Sequence, residues 1–226
     1  NPLNIISMAV AIAPAETRRE VADQVARIAN LTRDLLDFAK PWKLTPARLD
    51  LAAQVRQAAQ RLHDVSLGPG LAQPLWLQAD AGRVDQVLTN LFENARVAVA
   101  AVEGTAGGDS PPATHSHVHI DAEVTPTAVL LHVCDAGPGV PPEIRSRLFE
   151  PFASRSPGGT GLGLAIVART PAAHGGSVAL TERPPWNTCF TLRFPLAPAA
   201  GGPWEAWASD LPWAVAAADP DRLLLV

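Results

Sequence analysis

The 226-residue chain contains few cysteines, little excess charge and no long apolar run, three features that often indicate the class of a protein. Its two cysteines, Cys134 and Cys189, are too few for a disulfide framework. Each lies in an apolar stretch typical of a strand, so we expect both to pack as thiols in a reducing, cytoplasmic compartment. A net charge of −4 favours neither nucleic acid nor an anionic membrane surface as a partner. No apolar run reaches the roughly 18–20 residues that span a bilayer, so we expect these residues to make no membrane contact.

The first of three regions along the chain, residues 1–45, predicts two helices broken near Pro14. The second helix carries Val21, Ile28 and Leu35 one heptad apart, a seam that suits a helical hairpin. Because one hairpin cannot bury this seam alone, we expect a homodimer.

The other two regions differ in composition. Residues 46–198 mix helical spacing, over 49–61 and 82–102, with strand-like runs, in an order that is neither a βαβ repeat nor all-β. The strand-like runs are "PLWLQAD", "HVHIDAEV", "AVLLHVCD", "GSVALTE" and "TCFTLRFP". This order favours an α+β two-layer sandwich. Residues 199–226 are rich in Ala, Pro and Trp, and they form a tail or linker in our interpretation.

A stack of amides marks the helical stretch "RVDQVLTNLFENARVAVA". Gln86, Asn90 and Asn94 stand four residues apart and so share one helix face, opposite an apolar stripe. Amide oxygens can ligate Mg²⁺ and amide groups can contact phosphate. The same spacing also fits an ordinary amphipathic helix, so this pattern alone leaves both readings open.

Two glycine-containing turns follow. In "VCDAGPGVPPEI", Asp135 ends an apolar strand before Gly137 and Gly139, where a carboxylate could accept a hydrogen bond from an exocyclic amine. A tight turn that needs positive φ explains the glycines equally well. In "LFEPFASRSPGGTGLGLAIV", four glycines lead into an apolar helix whose free N–H groups could hold phosphate. The loop lacks the Walker pattern.

The order of these stretches, amide helix, Asp-Gly-Gly turn, Phe-rich hinge and Gly-rich loop, resembles the N, G1, F and G2 boxes of the ATP-binding domain of sensor histidine kinases. This domain has the sandwich fold of the wider class that includes gyrase, Hsp90 and MutL. The short span between "FEPF" and "GTGLGL" is similar to the nitrogen-regulation type, which has an abbreviated ATP lid. The resemblance covers roughly residues 1–198.

The resemblance implies that ATP and Mg²⁺ are the cofactors. Asn94 would ligate Mg²⁺, Asn90 would assist at the phosphates, and Asp135 would accept the adenine amine. The resemblance implies further residues at the ATP site. Gly137 and Gly139 would shape the pocket floor, and Thr188 would lie near the adenine. The lid residues along the phosphates would be Gly159, Thr160, Gly161, Leu162 and Gly163, and the hinge residues Phe149 and Phe152 would couple the lid to the body.

The residue four before Asn94 separates kinases from hydrolases in this class. The hydrolases carry a water-activating Glu there, whereas this chain has Asn90, and Glu93 lies about 100° round the helix. Phosphoryl transfer is therefore favoured over hydrolysis. One departure from the family is Pro171, which we expect to bend or shorten the helix after the lid.

Histidines provide two further expectations. His115, His117 and His119 alternate, which fits either a solvent-facing strand or a metal patch, and we favour the former. The opening "NPL" resembles the end of the family's His-Glu-x-Arg-Asn-Pro-Leu motif, which would put the phospho-accepting His four residues before Asn1. Since none of the six histidines lies within residues 1–45, we expect this chain to bind ATP without phosphorylating itself.

The resemblance also implies a response-regulator receiver domain as partner, and "DPDRLLLV" at the end is similar to the first strand of such a domain. An alternative is a nucleotide-dependent protein-interaction module that transfers no phosphoryl group.

Overall fold

The computed structural model describes residues 14–39, 43–62, 64–103, 117–153 and 160–196. Within these ranges the helices are α1 (Ala15–Ala39), α2 (Leu51–Ala59), α3 (Ala81–Glu103), α4 (Pro142–Arg145) and α5 (Gly163–Ala173), with a 3₁₀ turn at Pro69–Leu71. The strands are β1 (Ala47–Asp50), β2 (Val65–Leu67), β3 (Trp76–Ala79), β4 (Val118–Val124), β5 (Ala128–Asp135), β6 (Ser177–Leu180) and β7 (Thr188–Pro195).

Five strands form one mixed sheet in the order β2-β4-β5-β7-β6, and β1 pairs with β3 in a separate antiparallel ribbon. Only the β2–β4 pair of the large sheet is parallel. Helices α2, α3 and α5 cover one face of this sheet, where alternate strand residues such as Ile120, Leu131 and Leu192 are fully buried. The predicted α+β two-layer sandwich is confirmed.

The connection between β6 and β7 covers part of the other sheet face. His132 and Cys134 point to that face of β5, because the intervening Leu131 and Val133 belong to the core beneath the helices. His132 and Cys134 are nevertheless buried. This cover is why β5 does not show the alternation expected of a half-exposed strand.

The prediction that the two cysteines pack as free thiols is wrong. Cys134 and Cys189 are both buried, but they lie directly opposite one another on β5 and β7 and are joined by a disulfide. The two cysteines are 55 residues apart in sequence, so no local pattern predicts this pairing. The reducing compartment was inferred partly from free cysteines, so the disulfide does not support that inference, and the compartment remains untested.

Helix α1 leaves much of its predicted seam uncovered. The exposed fractions of Ile28, Leu31 and Leu35 are 51%, 41% and 43%. The earlier helix of the predicted hairpin lies outside the described residues, as does the tail. Across the described ranges, no helix is both long enough and apolar enough to cross a membrane.

Pro171 lies in the last turn of α5, and the helix ends two residues later at Ala173. The carbonyl oxygen of Pro171 accepts hydrogen bonds from the N–H groups of His174 and Gly176, which closes the helix end. The helix thus ends within one turn after Pro171.

Candidate functional site

The amide face of α3 meets the start of α5. The Nδ2 group of Asn90 donates to the carbonyl oxygen of Gly163 over 3.3 Å, and Asn94 lies exposed one turn further along. A Cβ added to Gly163 would lie 3.6 Å from the Asn90 side chain, an ordinary van der Waals distance, so the approach does not depend on glycine. Gln86, one turn before Asn90, accepts a 3.0 Å hydrogen bond from Arg83 instead. Asn90 is therefore the amide of this stack whose hydrogen bond to the start of α5 is described.

Asp135 and Thr188 face each other where β5 ends and β7 begins. Asp135 is only 4% exposed, and its Oδ1 accepts a 2.9 Å hydrogen bond from the N–H of Gly137. Burial raises the pKa of Asp135, while the hydrogen bonds from Gly137 and the Thr188 hydroxyl act in the opposite direction. The structure thus brings together a buried carboxyl group and a threonine that are 53 positions apart in the sequence.

The turn after Asp135 is pressed against α3. A Cβ added to Gly137 would come within 2.6 Å of the Ala98 Cβ and 2.7 Å of the Asp135 Oδ1, so this position has no room for a side chain. Gly139 adopts a φ of +79°, which glycine tolerates far better than other residues. The closeness of Gly137 to Ala98 places the turn beside the same helix that carries Asn90 and Asn94.

The predicted hinge and lid residues lie at the edge of this site. The Phe149 ring packs edge-on against Phe190 of β7, with 6.2 Å between ring centroids. Phe152 is 63% exposed and adopts a φ of +64°, and its N–H donates to the carbonyl oxygen of Gly161 over 2.9 Å. Gly161 itself has a φ of +72°. The two ends of the lid are therefore hydrogen-bonded to each other.

The remaining lid residues anchor α5. The N–H of Leu162 lies 3.3 Å from the Thr160 Oγ1, and the fully buried Leu162 side chain fixes the start of the helix. Gly159 lies outside the described residues, so its predicted phosphate contact stays a prediction.

Glu93, the carboxylate next to Asn94, pairs with a cation. The Nε of Arg96 donates to Glu93 Oε2 over 3.0 Å, and the hydrogen bond with Arg96 lowers the pKa of Glu93. Both side chains are more than half exposed, so the pair adds little stability. The exposed Asn94 amide is accordingly the group in this turn that fits a Mg²⁺ ion, which binds through a few protein oxygens and keeps several water or phosphate ligands.

The two described members of the alternating histidine set contact neighbouring side chains instead of a metal ion. His117 lies 2.7 Å from the Asp64 carboxylate, and the Nδ1 of His119 lies 2.8 Å from the Ser66 hydroxyl. His115 is not among the described residues. Within the part of the chain that the structure describes, no three His, Cys, Asp or Glu side chains are grouped as metal ligands would be.

Two contacts that position these elements were not predicted from the sequence. Asn187 contacts the Asp135 turn through its backbone and its side chain, and His174 joins the end of α5 to the start of α3. No local pattern marked Asn187, and the partner of His174 is 94 residues away in sequence.

A sandwich with an amide-bearing helix, a buried Asp at a strand end and a Gly-rich lid defines an ATP-binding domain. Residues 79–198, more than half of the chain, match the model of the family described as histidine kinase-, DNA gyrase B- and HSP90-like ATPases. The chain therefore belongs to this family.

Its relatives include named sensor kinases. The chain is 34% identical over 198 residues to the probable sensor histidine kinase TcrY of Mycobacterium tuberculosis, covering 81% of this chain and 39% of TcrY. It is 28% identical over 165 residues to the nitrogen regulation protein NtrY of Azorhizobium caulinodans, covering 71% of this chain and 21% of NtrY. The predicted likeness to sensor histidine kinases, including those of nitrogen regulation, is confirmed. The chain spans well under half the length of both relatives.

Among solved structures, full-length ShkA in complex with AMPPNP is similar, with a TM-score of 0.67 and 30% identity. The match covers 88% of this chain and 44% of ShkA. The likeness thus extends beyond the region that the family model matches.

Proposed function

We propose that the chain binds ATP with Mg²⁺ and is the catalytic portion of a sensor histidine kinase. In the intact protein it would transfer the γ-phosphoryl group to a histidine of the dimerisation helix, and from there to an aspartate of a response-regulator receiver domain. The observation that carries this proposal is the buried, hydrogen-bonded Asp135 at the end of β5, on the same side of the fold as the Asn90–Gly163 contact.

Asp135 would recognise the adenine. An ionised carboxylate can only accept hydrogen bonds, so it is complementary to the exocyclic amine of adenine. Gly137 and Thr188 already donate to it, which fixes its direction before any ligand arrives. Burial strengthens the recognition, because a base that leaves this carboxylate unpaired would bear the cost of its desolvation.

Asn90 and Asn94 would act at the other end of the nucleotide. Asn94 would offer its amide oxygen to Mg²⁺, which neutralises phosphate charge during phosphoryl transfer. Asn90 and the backbone of residues 159–163 would hold the phosphates, since the N–H groups at the start of α5 favour an anion. The hydrogen bond from Phe152 to Gly161 would couple the hinge to lid closure.

The residues of α3 also favour phosphoryl transfer over hydrolysis of ATP. The position four residues before Asn94 holds Asn90, whose amide cannot act as a base toward water. Glu93 is paired with Arg96 and lies on a different face of the helix. No described carboxylate on α3 therefore stands where it could activate a water molecule beside Asn94.

The exposed apolar side chains of α1 support a homodimer through this helix, as in the kinases that the chain resembles. We also infer a cytoplasmic location for these residues. The second candidate function is a nucleotide-dependent interaction module without phosphoryl transfer, which would use the same ATP site and the exposed apolar side chains of α1 to bind a partner.

An ATP titration of the chain and its Asp135→Asn variant tests the site. We expect ATP binding to weaken about 10- to 100-fold in the variant, because a hydrogen bond to a charged group contributes about 1.5–3 kcal/mol. Asp85→Asn is the matched control, since Asp85 makes a surface ion pair with Arg61 away from the site and should leave affinity unchanged. Equal affinity for all three proteins would refute the adenine contact.

Labelled ATP separates the two functions. We expect this chain alone to form no phosphohistidine. A version joined to a dimerisation-helix segment that carries the motif His-Glu-x-Arg before Asn1 should form an acid-labile, alkali-stable phosphoprotein. Such a version that binds ATP and stays unlabelled would favour the interaction module.

A further inference from the structure

The connection between β6 and β7, residues 181–187, crosses the sheet face away from the helices and ends at the Asp135 turn. Three contacts hold it there. Arg183 pairs with Glu123, the Trp186 ring stacks on His119 with 5.4 Å between centroids and 2° between planes, and the Thr181 N–H donates to the Cys189 carbonyl oxygen over 2.8 Å. The segment is thus fixed to β4 and β7 before it reaches Asn187.

Asn187 makes two hydrogen bonds to the turn and lies beside a third of its residues. Its backbone N–H donates to the carbonyl oxygen of Asp135 over 3.1 Å, and its Nδ2 donates to the carbonyl oxygen of Gly137 over 2.8 Å. Its carbonyl oxygen lies 3.5 Å from where a Cβ of Gly139 would stand. The turn is therefore held by α3 on one side, at Ala98, and by Asn187 on the other.

The Gly137 residue links Asn187 to the carboxylate. Its N–H donates to Asp135 Oδ1, and its carbonyl oxygen accepts from the Asn187 side chain. Fixing the carbonyl restricts rotation of the turn backbone, and this in turn restricts the direction in which the Gly137 N–H holds the Asp135 carboxylate.

We propose that Asn187 is a positioning residue for adenine recognition and acts through Gly137 on the Asp135 carboxylate. The inference rests on the proposed function, in which Asp135 accepts the adenine amine. It adds a residue from the β6–β7 connection to the candidate site.

The proposal predicts a change in base selectivity and not only in affinity. Inosine triphosphate carries an oxygen where ATP carries the amine, so a well-placed carboxylate favours ATP and repels the oxygen. A carboxylate that is no longer held in place loses part of both effects. Removal of the Asn187 side chain should therefore weaken ATP binding and modestly strengthen inosine triphosphate binding, so that the selectivity for ATP falls.

Asn187→Ala and Asn187→Asp, titrated with ATP and with inosine triphosphate, test this prediction. We expect the dissociation constant for ATP to rise about three- to tenfold in Asn187→Ala, the change that one side-chain hydrogen bond supports. Asn187→Asp keeps the shape but turns a carboxylate oxygen toward the Gly137 carbonyl, so it should be impaired at least as much. Glu182→Ala, an exposed residue of the same connection, is the matched control and should bind like the unaltered chain.

The melting temperature of each variant separates positioning from folding. A variant that melts earlier but keeps the full ATP-to-inosine-triphosphate ratio would show a purely structural role and overturn the inference. If Asp135→Asn loses selectivity while both Asn187 variants retain it, the inference fails and the proposed function stands. If the unaltered chain binds no ATP, both are refuted.

Discussion

Replacing His174 by Phe should destabilise the domain and reduce its sensitivity to acid. His174 is 6% exposed, and its Nδ1 donates to the Thr170 carbonyl oxygen over 2.8 Å. Its Nε2 accepts from the N–H of Asp80 over 3.0 Å, so the ring must be neutral, with its proton on Nδ1. The Phe ring would keep the edge-on packing against Phe194 but leave both backbone groups without this partner.

The size of the effect follows from the two lost hydrogen bonds. Loss of the hydrogen bond to the Thr170 carbonyl costs about 1 kcal/mol. Loss of the other leaves the partly buried Asp80 N–H unpaired and costs about 1–3 kcal/mol, so the total is roughly 2–4 kcal/mol. In a protein of this length each kcal/mol lowers the melting temperature by about 2–4 °C, so we expect a fall of roughly 4–16 °C.

The pH dependence has a definite sign. Burial lowers the pKa of His174 from its ordinary 6.5, against the opposing effects of the Thr170 carbonyl and the Asp80 charge. Because the unfolded chain binds the proton more readily, the stabilisation is complete above pH 6.5. It is lost as pH falls from 6.5 through the lowered value. His132, whose pKa burial and the Arg183 charge also lower, adds a loss of the same sign.

Urea denaturation at several pH values between 5 and 8 measures both effects. The Phe variant should be less stable at pH 8 and should lose less stability on acidification than the unaltered chain. His174→Gln is a second variant, because an amide can donate to Thr170 and accept from Asp80 yet does not titrate. It should recover part of the stability and none of the pH slope. A Phe variant with the unaltered chain's pH slope would refute the reasoning.

Two further predictions concern the nucleotide site. Gly137→Ala should weaken ATP binding at least tenfold and destabilise the domain by about 1–3 kcal/mol, because its Cβ would overlap Ala98 and the Asp135 carboxylate. ATP titration and thermal denaturation measure the two effects, and Gly82→Ala at the exposed start of α3 is the control; a wild-type affinity would contradict the packing argument. ATP binding should also weaken as pH falls toward the pKa of Asp135, which burial raises above 3.8, so the carboxylate loses its charge at a higher pH than an exposed one. Titrations from pH 8 down to the lowest pH at which the domain stays folded should show a steeper loss for the unaltered chain than for Asp135→Asn, and equal slopes would rule this out.

Much of the fold was predictable because its elements carry strong local patterns. The strands β3 to β7 and the helix α3 lie where alternation and helical spacing predict them. The short strands β1 and β2 were missed, since three or four partly exposed residues, as in Ala47–Asp50, leave no alternation to read. Their strand conformation depends on partners elsewhere in the chain, Trp76–Ala79 for β1 and Val118–Ile120 for β2.

The candidate site, like the fold, combines residues that local patterns predict with contacts that they do not predict. The spacing of Asn90 and Asn94 and the Asp-Gly-Gly turn were visible because each lies within one short stretch. The hydrogen bond from Asn90 to Gly163 joins residues 73 positions apart, so no local pattern predicts it. It shows that Asn90, in the described structure, connects the amide helix to the end of the lid.

The register between β5 and β7 explains both the missed disulfide and the missed role of Asn187. Asp135 pairs with Thr188, and the next pair along the ladder is Cys134 with Cys189. Once Thr188 is aligned with Asp135, Asn187 must lie beyond the end of β5, level with the turn that begins at Ala136. A slip of one residue would turn Thr188 to the opposite face of the sheet and separate the two sulfurs. The carboxylate, its hydroxyl partner, the disulfide and the bracing amide are therefore consequences of one strand alignment, which a reading of either strand alone does not contain.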